Sequence, residues 1–436
     1  MRRYESWGRL PKTTPAAVHR IQWRSELSQL DFGVGPVLPV GLGRSYGDSG
    51  LNDAGVIIDT RDLGRFIEFD TERGVVRCEP GVSVGDLLAL VVPRGWFIPV
   101  SPGTQFVTMA GALANDIHGK NHHGAGTFGC HVRRFELLRS DGTRRECSPD
   151  ENAEFFRATI GGMGLTGILT WIEFQLKAIP SPWIELEQIR FRSFDEYLAL
   201  ERESSSDYEY SVSWLDCLSG KHRGLFQRGN FANDGPKRRS AASALKLRLP
   251  IDAPSFALDP RIMKLFNTAI YRHQLRNRIH KKVHYVPFFF PLDMILDWNR
   301  AYGKAGFFQY QFTVPSGAED VFLEILDRIS QSRQGSFLVI LKKFGDIASP
   351  GLMSFPKEGI NLALDFPNRG SLTLDLLEQL DELVTESGGS VYPAKDARMS
   401  ATSFQRYYPQ WKEFARYIDP NFSSSFWRRV TAGAST

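Results

Sequence analysis

The pattern of apolar and polar positions predicts several amphipathic helices. Residues 81–96 carry apolar side chains at helical spacing, and the pattern stops at Pro93 and Gly95, which are typical helix terminators. The same spacing predicts further helices over 195–204, 317–333 and 372–387, and a short helix at Trp411. Strand-like segments lie between these helices, so both periodicities occur in one chain.

Alternating apolar and polar residues predict strands. Two alternating runs within 133–148 flank Asp141-Gly142, a dipeptide typical of tight hairpin turns. Residues 151–179 predict a helix, then a glycine turn, then an alternating strand. Aromatic and strand-like runs dominate from about 181 to 389, which predicts a second domain inserted into the first.

Composition and charge exclude several classes of protein. Of the 436 residues, 42% are apolar and 23% are charged, which excludes a mostly disordered, collagen-like or coiled-coil chain. The charge of +4 is too small to indicate nucleic-acid binding. No long uncharged apolar run predicts a transmembrane helix, and no secretory signal is expected, which favours a cytoplasmic location. Four dispersed cysteines fit a reducing compartment.

One segment has a strong local charge. Residues 261–282 contain seven Lys or Arg and no acidic residue. Within it, an apolar helical stripe is formed by Ile262, Leu265, Phe266, Ala269 and Ile270. Such a helix can lie on an anionic membrane surface, or pack on its own domain with a solvated basic face, and the sequence leaves both open. The aromatic stretch 285–298 follows directly, and the polar stretch 233–250 is predicted to be a loop.

Glycines after a predicted strand indicate a phosphate-binding turn. Gly43-Arg44-Ser45-Tyr46-Gly47 matches G-x-S-x-G, but turn formers follow where a hydrolase nucleophile elbow needs a helix. Gly41, Gly43 and Gly47 are spaced one residue too widely for a dinucleotide-binding Rossmann turn. Successive glycines nevertheless expose backbone N–H groups that can cradle a pyrophosphate. The glycine turn at 160–167 lacks the ending of a P-loop.

The segment 101–132 is rich in small residues, amides and histidines. His118, His122, His123 and His131 could suggest a metal site, but the intervening glycines predict an extended loop, and no metal is expected. A glycine-walled groove for a flat cofactor is the alternative. Near the other end of the chain, Lys395 stands beside Asp396, a pair that is usually a surface ion pair.

Seven ordered blocks point to a known family. They are GLGRSYGDSGLND, PGTQFVTMAGALANDIHGKNHHGAGTFGCHV, ATIGGMGLTGI, FPLDMILDWNRAYGKAGFFQYQF, LKKFG, NLALDFP and YPAKDAR. Together they resemble the decaprenylphosphoryl-β-D-ribose 2′-oxidase family, of the vanillyl-alcohol-oxidase type of FAD enzymes. The resemblance implies an α+β fold with a two-subdomain PCMH-type FAD-binding domain over 1–177, completed by 390–436. An antiparallel-sheet substrate domain would occupy 178–389.

The resemblance also implies a cofactor site. FAD would be held without a covalent link, by Gly41, Leu42, Gly43, Arg44, Ser45, Tyr46, Gly47, Gly103, Thr104, Gly111, Asn115, Ile117, His118, Gly119, Asn121, His122, Thr127, Ile168, Tyr392 and Lys395. The substrate would contact Lys120, Trp214, Gln309, Gln311, Lys342, Asn361 and Ala363. Lys395, His118 and Tyr46 are the expected catalytic residues, with Lys395 either stabilising negative charge on the cofactor or accepting the hydroxyl proton.

The implied reaction oxidises the 2′-hydroxyl of a polyprenyl-phosphoryl ribofuranose to a keto sugar. A short-chain keto-reductase is the expected partner, giving an arabinose donor, and peripheral contact with the inner membrane is expected. Two alternatives stay open: a soluble aldonolactone or alditol oxidase, and a non-catalytic flavoprotein subunit of an epimerase complex.

Two positions depart from the family. Ala363 stands where its best-known members have a cysteine, which predicts loss of any covalent inhibition through that thiol. Phe288-Phe289-Phe290 replaces a more polar Tyr-His pair, and could tune a loop over the lipid-binding face.

Overall fold

The first part of the chain forms two sheets and a two-stranded ribbon. The computed structural model describes residues 4–30, 32, 35–235 and 247–433. The strands of this part are β1 Ala17–Arg20, β2 Val37–Val40, β3 Val56–Asp59, β4 Phe66–Asp70, β5 Val75–Cys78, β6 Trp96–Phe97, β7 Val132–Leu138, β8 Arg144–Cys147, β9 Ile168–Gln175 and β10 Lys177–Ala178. A parallel sheet has the order β1-β3-β2, an antiparallel sheet has the order β4-β5-β9-β7-β8, and β6 pairs with β10.

Four helices accompany these sheets: α1 Val84–Val91, α2 Met109–Ala114, α3 His122–Ala125 and α4 Ala153–Thr159. The predicted helix within 81–96 is confirmed, and it begins at a capping box in which Ser83 and Asp86 satisfy each other's backbone N–H groups. The predicted hairpin is also confirmed as β7 and β8, with Gly142 at φ +82° in the turn.

Two local predictions for this part were wrong. The strand after the glycine turn does not alternate, because β9 is the central strand and its residues Ile168–Phe174 are buried on both faces. Its Glu173 is covered by the guanidinium groups of Arg77 and Arg134. The extended loop expected around the histidines contains α3 instead, since the Asn121 carbonyl accepts hydrogen bonds from the N–H groups of Gly124 and Ala125.

The second part is dominated by one large antiparallel sheet. Its strands are β11 Trp183–Phe191, β12 Tyr210–Leu215, β13 Gly224–Phe231, β14 Leu247–Arg248, β15 Arg278–His284, β16 Ile295–Leu296, β17 Phe307–Pro315, β18 Val339–Phe344, β19 Gly359–Pro367 and β20 Ser390–Val391. Eight of them follow the order β15-β11-β13-β12-β18-β19-β17-β20, while β14 pairs with β16. The α+β class is therefore confirmed.

Helices cover one face of this sheet. They are α5 Phe194–Ser204, α6 Pro260–His273, α8 Glu319–Ser332 and α9 Ser371–Glu386, whereas α7 Tyr285–Phe289 packs its Phe288 and Phe289 in a separate buried cluster with residues of the first part of the chain. The helices predicted over 195–204, 317–333 and 372–387 correspond to α5, α8 and α9. Apolar side chains of these three helices and of the sheet share one buried cluster, which leaves the opposite face of the central strands free for other contacts.

The basic segment is part helix and part strand. Helix α6 ends at His273, and the cations from Arg278 onward lie on β15. The helix packs on the sheet through Met263, Asn267 and Tyr271, not through the predicted apolar stripe. Of the predicted loop 233–250, residues 236–246 lie outside the described residues.

The last part of the chain returns to the first. It forms α10 Ala401–Tyr407, α11 Trp411–Ala415 and α12 Ser425–Val430, so the short helix predicted at Trp411 is confirmed. The N–H of Ser425 donates to the carbonyl of Leu51, and the N–H of Val37 donates to the carbonyl of Asn421. β20 pairs with β17 of the large sheet, so the end of the described chain contacts both the first part and the large sheet. Across the described ranges, we find no helix with the length and apolar character needed to cross a membrane.

Candidate active site

A cavity of about 880 Å³ lies where the glycine-rich loops of the first part face the free side of the large sheet. Its wall is formed by the segments 39–50, 101–120, 287–298 and 392–395, and by β12, β17, β18 and β19. This volume is near the upper end of the range for small-molecule and cofactor sites. Residues far apart in sequence therefore meet around one cavity.

The loop after β2 is shaped by glycines that permit close approach. A Cβ on Gly41 would lie 2.4 Å from Oγ1 of Thr108, and one on Gly47 would lie 1.6 Å from the carbonyl oxygen of Asp396. Gly43 has φ +63°, a conformation that favours glycine. Gly41 and Gly47 thus let the loop pack closely against Thr108 and Asp396. The sequence pattern alone does not reveal these two contacts.

Arg44 extends from this loop onto aromatic rings beside the cavity. Its guanidinium carbon lies 4.1 Å from the ring centroid of Trp7 and 5.3 Å from that of Phe106. Burial lowers the pKa of Arg44, and the nearby carboxyl of Asp293 opposes that shift. The side chain is positioned to bring a fixed positive charge to a bound anion.

The sheet contributes a row of side chains across four strands. The register places Trp214 opposite Ile340, Ile340 opposite Ala363, and Ala363 opposite Gln311. Because side chains alternate along a strand, Gln309 and Lys342 lie on the same face as this row. All six residues line the cavity. The sheet thus provides a floor with apolar and amide groups side by side.

Three lysines surround the cavity, and each has a lowered pKa. Burial lowers the pKa of Lys120 to about 7, that of Lys342 to about 8 and that of Lys395 to about 7. Lys342 adds to the shifts of the other two by charge repulsion. Each side chain is partly accessible on the cavity wall, so an anion in the cavity can reach the ammonium groups. Such a cluster suits a phosphate group or another anion.

Lys395 is positioned by a turn that reaches into the cavity. The N–H of Tyr392 donates to the carbonyl of Gln311, and the N–H of Tyr46 donates to the carbonyl of Ala394. The ammonium of Lys395 lies 3.7 Å from the ring centroid of Tyr46. Asp396 does not pair with its neighbour Lys395 but accepts hydrogen bonds from Arg429 and from the N–H of Met399. The turn is therefore fixed on both sides.

His118 is held as a neutral ring. Its Nε2 lies 2.7 Å from Nε2 of Gln311, so it accepts the amide hydrogen. Burial, together with repulsion from Lys342, His122 and Lys395, lowers the pKa of His118 well below its ordinary value. The remaining hydrogen is then on Nδ1, which is buried and has no protein partner among the described residues. This nitrogen can donate to a bound group.

Asp365 was missed by the sequence reasoning. Its carboxylate is fully buried and accepts hydrogen bonds from Tyr302 at 3.0 Å and Gln309 at 2.7 Å. Burial raises its pKa to about 7, and the charge of Lys395 opposes that rise. The available signal was its position: Asp365 is two residues after Ala363 on a strand, and therefore shares the face that lines the cavity.

The structure brings most of the predicted site residues to the cavity wall. Those in the wall are Gly41, Leu42, Gly43, Arg44, Ser45, Tyr46, Gly103, Thr104, Gly111, Asn115, Ile117, His118, Gly119, Lys120, Ile168, Trp214, Gln309, Gln311, Lys342, Ala363, Tyr392 and Lys395. Other wall residues, such as Trp298 and Ile340, were not predicted because isolated aromatic and aliphatic residues carry no distinctive pattern.

Five predicted residues lie outside the wall and pack against or hydrogen-bond to other residues. Gly47 packs on Asp396, and Asn361 accepts a hydrogen bond from Gln311 at 3.2 Å. The amide of Asn121 donates to the carbonyl of Pro99. His122 accepts a hydrogen bond from the N–H of Gly345, and Thr127 contacts the thiol of Cys130. These residues support the cavity from behind.

The four histidines of this segment have separate partners. Nε2 of His123 lies 3.2 Å from the carbonyl of Tyr208, and Nε2 of His131 lies 2.8 Å from the carbonyl of Ala125. In the part of the chain that the structure describes, no group of three or more His, Cys, Asp or Glu side chains is arranged to bind a metal ion.

Phe288, Phe289 and Phe290 are buried rather than exposed in a loop over the site. Phe288 and Phe289 belong to α7, and the ring of Phe289 packs against those of Phe97 and Tyr210. The ammonium of Lys120 lies 4.3 Å from the ring centroid of Phe288 and also donates to that residue's carbonyl. The aromatic run thus holds Lys120 at the cavity wall, because its rings and carbonyl replace the water that the lysine has lost.

The cavity fits an FAD molecule by three structural features. A Cβ at Gly103 would meet no atom within 4 Å, so the loop leaves open space there. Nδ1 of His118 and Oγ of Ser49 are buried polar atoms that have no protein partner among the residues described, and both residues line the cavity. Arg44 and the lysines supply positive charge for a pyrophosphate. Size, unpaired polar atoms and charge therefore agree.

Comparisons with known proteins support the presence of an FAD-binding domain. A family model described as "FAD binding domain" matches residues 34–148. The chain is 35% identical to the decaprenylphosphoryl-β-D-ribose oxidase of Mycolicibacterium smegmatis, over 98% of this chain and 97% of that protein. It is 31% identical to an uncharacterised protein of Streptomyces coelicolor, over 80% of this chain and all of that protein. Similarity to human Delta(24)-sterol reductase, at 31% identity, covers 28% of this chain and 23% of that protein.

Proposed function

The chain belongs to the decaprenylphosphoryl-β-D-ribose oxidase family of FAD-dependent oxidoreductases, and from this membership we propose that it oxidises the 2′-hydroxyl of a polyprenyl-phosphoryl-β-D-ribofuranose. The observation that carries the proposal is the convergence of Lys120, Lys342 and Lys395 on one cavity with an amide-lined floor. A sugar needs hydrogen-bonding amides, and its phosphate needs positive charge. The cavity offers both beside the proposed cofactor site.

FAD, when bound, supplies the acceptor for the hydride that leaves the sugar carbon. We propose that the 41–46 loop, including Arg44, and Gly103-Thr104 hold the pyrophosphate of FAD. We also propose that Nδ1–H of His118 donates a hydrogen bond to the bound FAD. Donors of this kind, fixed before the ligand arrives, stabilise charge without reorganisation. Because Nε2 of His118 already accepts from Gln311, a covalent link through that nitrogen would break an existing hydrogen bond.

Lys395 is the proposed acceptor of the hydroxyl proton. With a pKa of about 7, a substantial fraction of its amine is uncharged at neutral pH, which an ordinary surface lysine cannot achieve. Tyr46 lies directly against it and fixes its position. Gln309 and Gln311 are proposed to orient the ribose hydroxyls, while Lys342 and Lys120 bind the phosphate.

The test is anaerobic mixing of the FAD-loaded protein with a polyprenyl-phosphoryl ribose while absorbance is followed in the visible range. We expect bleaching, and we expect Lys395→Met to keep FAD bound while the bleaching rate falls at least about 100-fold, as for loss of a general base. Lys412→Met is the matched control, because Lys412 is exposed on α11. Equal rates in both variants would remove Lys395 from the mechanism, and no bleaching in the unmodified protein would overturn the proposal.

Non-covalent binding of FAD is part of the proposal and has its own measurement. Acid precipitation of the yellow protein should release all flavin to the supernatant. Flavin that stays with the pellet would instead favour the aldonolactone or alditol oxidase alternative.

The lipid product sets the requirements for neighbouring steps. A keto sugar on a polyprenyl phosphate must be reduced by a separate enzyme, and we propose a short-chain keto-reductase as the partner. Because the polyprenyl tail is insoluble in water, we also propose peripheral contact with a membrane. With this enzyme and an artificial electron acceptor that reoxidises the flavin, keto product should accumulate, and it should disappear when such a reductase and its reduced nicotinamide cofactor are added.

A further inference from the structure

Exposed large apolar side chains are concentrated beside the cavity rather than scattered. In the described residues, most of them lie between 247 and 295. We define the apolar ridge as the six residues Leu247, Ile251, Phe256, Ile262, Leu265 and Phe266, which are 64%, 71%, 69%, 46%, 71% and 51% exposed. Clustering of this kind marks an interaction surface, whereas single exposed apolar residues do not.

Helix α6 presents the ridge outward by its own geometry. Ile262, Leu265 and Phe266 occupy one face at i, i+3 and i+4, and the helix packs through Met263 and Tyr271 on the other side. Much of the surface of the predicted apolar stripe is therefore exposed. Within the part of the chain that the structure describes, its one aromatic ring, that of Phe266, contacts the ring of Phe337 at 6.1 Å between centroids.

The ridge is continuous with the opening of the cavity. Leu247 pairs with Ile295 and Arg248 with Leu296 across β14 and β16. Arg248, Ile295 and Leu296 line the cavity, and Arg248 has 67% of its side chain exposed, so the cavity reaches the surface at this ribbon. An apolar chain leaving the cavity at this point would run directly onto the ridge.

Positive charge flanks the ridge, and the acids around it are already used. Arg261, Lys264 and Arg272 on α6 form no ion pair among the residues that the structure describes. By contrast, Asp252 accepts from Arg9 at 2.8 Å, Asp297 lies 3.2 Å from Arg248, and Asp259 caps α6. The surface therefore combines apolar side chains with free cations, which is complementary to an anionic lipid bilayer.

We propose that the apolar ridge inserts into the headgroup region of an anionic membrane, with the cavity opening facing the lipid. A polyprenyl-phosphoryl sugar could then place its head in the cavity while its tail stays in apolar surroundings. The proposal rests on the proposed function for the nature of the lipid substrate, but the ridge and its charges stand independently of that substrate.

The experiment uses the FAD-loaded full-length protein and sedimentation with vesicles. We expect binding to vesicles of equal parts phosphatidylglycerol and phosphatidylcholine, weaker binding in high salt, and little binding to phosphatidylcholine alone. The double variant Phe256→Ser with Leu265→Ser should reduce binding about tenfold or more, because two apolar side chains no longer enter the lipid.

The matched control is Trp23→Ser with Ile67→Ser, where the two side chains are 55% and 39% exposed and belong to the first part of the chain, outside the ridge. It should bind vesicles as the unmodified protein does. Equal binding by the ridge variant, or no vesicle binding at all, would overturn the proposal. So would light scattering that shows a dimer of the unmodified protein and a monomer of the ridge variant, because a second copy would then be the partner.

Bleaching by substrate dispersed in detergent separates this proposal from the proposed function. The ridge variant should bleach as fast as the unmodified protein, since none of its changed residues lines the cavity. Normal bleaching without vesicle binding would reject the membrane surface and leave the oxidation in place. Vesicle binding without bleaching would support the surface and reject the substrate.

Discussion

At the residue scale, the site is governed by the cost of burying charge. Lys395 keeps a pKa of about 7 because burial destabilises its ammonium form, while Asp365 favours that form by its charge. Burial also raises the pKa of Asp365, to about 7. The two groups therefore titrate in the same range, and each influences the charge of the other.

The first prediction concerns the pH dependence of oxidation. If Lys395 accepts the proton, only its uncharged form is active, and this form increases as pH rises through about 7. The bleaching rate at low substrate should therefore rise from pH 6 to about pH 8 and then level off. Stopped-flow measurements over this range provide the check, and a flat profile would contradict the role.

Replacement of Asp365 should move that profile. Asp365→Asn removes the negative charge that favours the ammonium form, so the pKa of Lys395 should fall and the rising limb should shift to lower pH. Tyr302→Phe is the control for the hydrogen bond alone, because it leaves the carboxylate present. A profile unchanged by Asp365→Asn would mean that the carboxylate serves only to hold Gln309.

At the scale of elements, the catalytic turn and the glycine loop depend on each other. The loop after β2 and the turn before α10 touch at Gly47, where a Cβ would overlap the carbonyl of Asp396. The N–H of Tyr46 donates to Ala394 in the same contact. Displacement of either segment would therefore move Tyr46 and Lys395 together.

Gly47→Ala should destabilise the protein by about 2 kcal/mol, because the overlap forces backbone segments apart. Thermal unfolding should show a lower Tm, and FAD retention should fall with it. Gly124→Ala is the matched control, since a Cβ there meets no atom within 4 Å and the residue lies in α3. A Tm equal to that of the control would show that the loop can shift at no cost.

The sequence pattern predicted these elements with uneven success. Helices α1, α5, α8 and α9 follow from clear apolar spacing, and the hairpin follows from Asp141-Gly142. The strand β9 was also predicted, but its burial on both faces was not, since that burial depends on arginines contributed by neighbouring strands. The glycine loop was located correctly, but its packing against Thr108 and Asp396 depends on contacts between distant segments.

At the scale of the whole molecule, the site exists because three distant segments are joined. The resemblance to a family led to Lys395, which by pattern alone is an ordinary lysine beside an acid. Asp365 and Arg429 were missed, because the first acts through position on a sheet and the second through a contact across the fold. Domain boundaries near 178 and 390 stay a prediction.

Arg429 joins the last helix to both loops of the site. Its guanidinium lies 2.7 Å from Asp48 and 2.9 Å from Asp396, and both carboxylates are buried. Arg429→Met should therefore cost about 3 kcal/mol, the usual penalty for leaving buried charges unpaired. Denaturant unfolding provides the measurement. Arg428→Met is the control, because Arg428 contacts the amide of Asn52 and the carbonyl of Asp53 rather than a buried acid.

The late position of Lys395 in the chain has a consequence for biosynthesis. The cavity wall is completed by the turn at 392–395, which is held in place by the still later Arg429. A nascent polypeptide whose earlier sheets have already emerged from the ribosome consequently has the cradle without its lysine. Translation order thus delays assembly of the complete pocket until residues 392–429 have been synthesised.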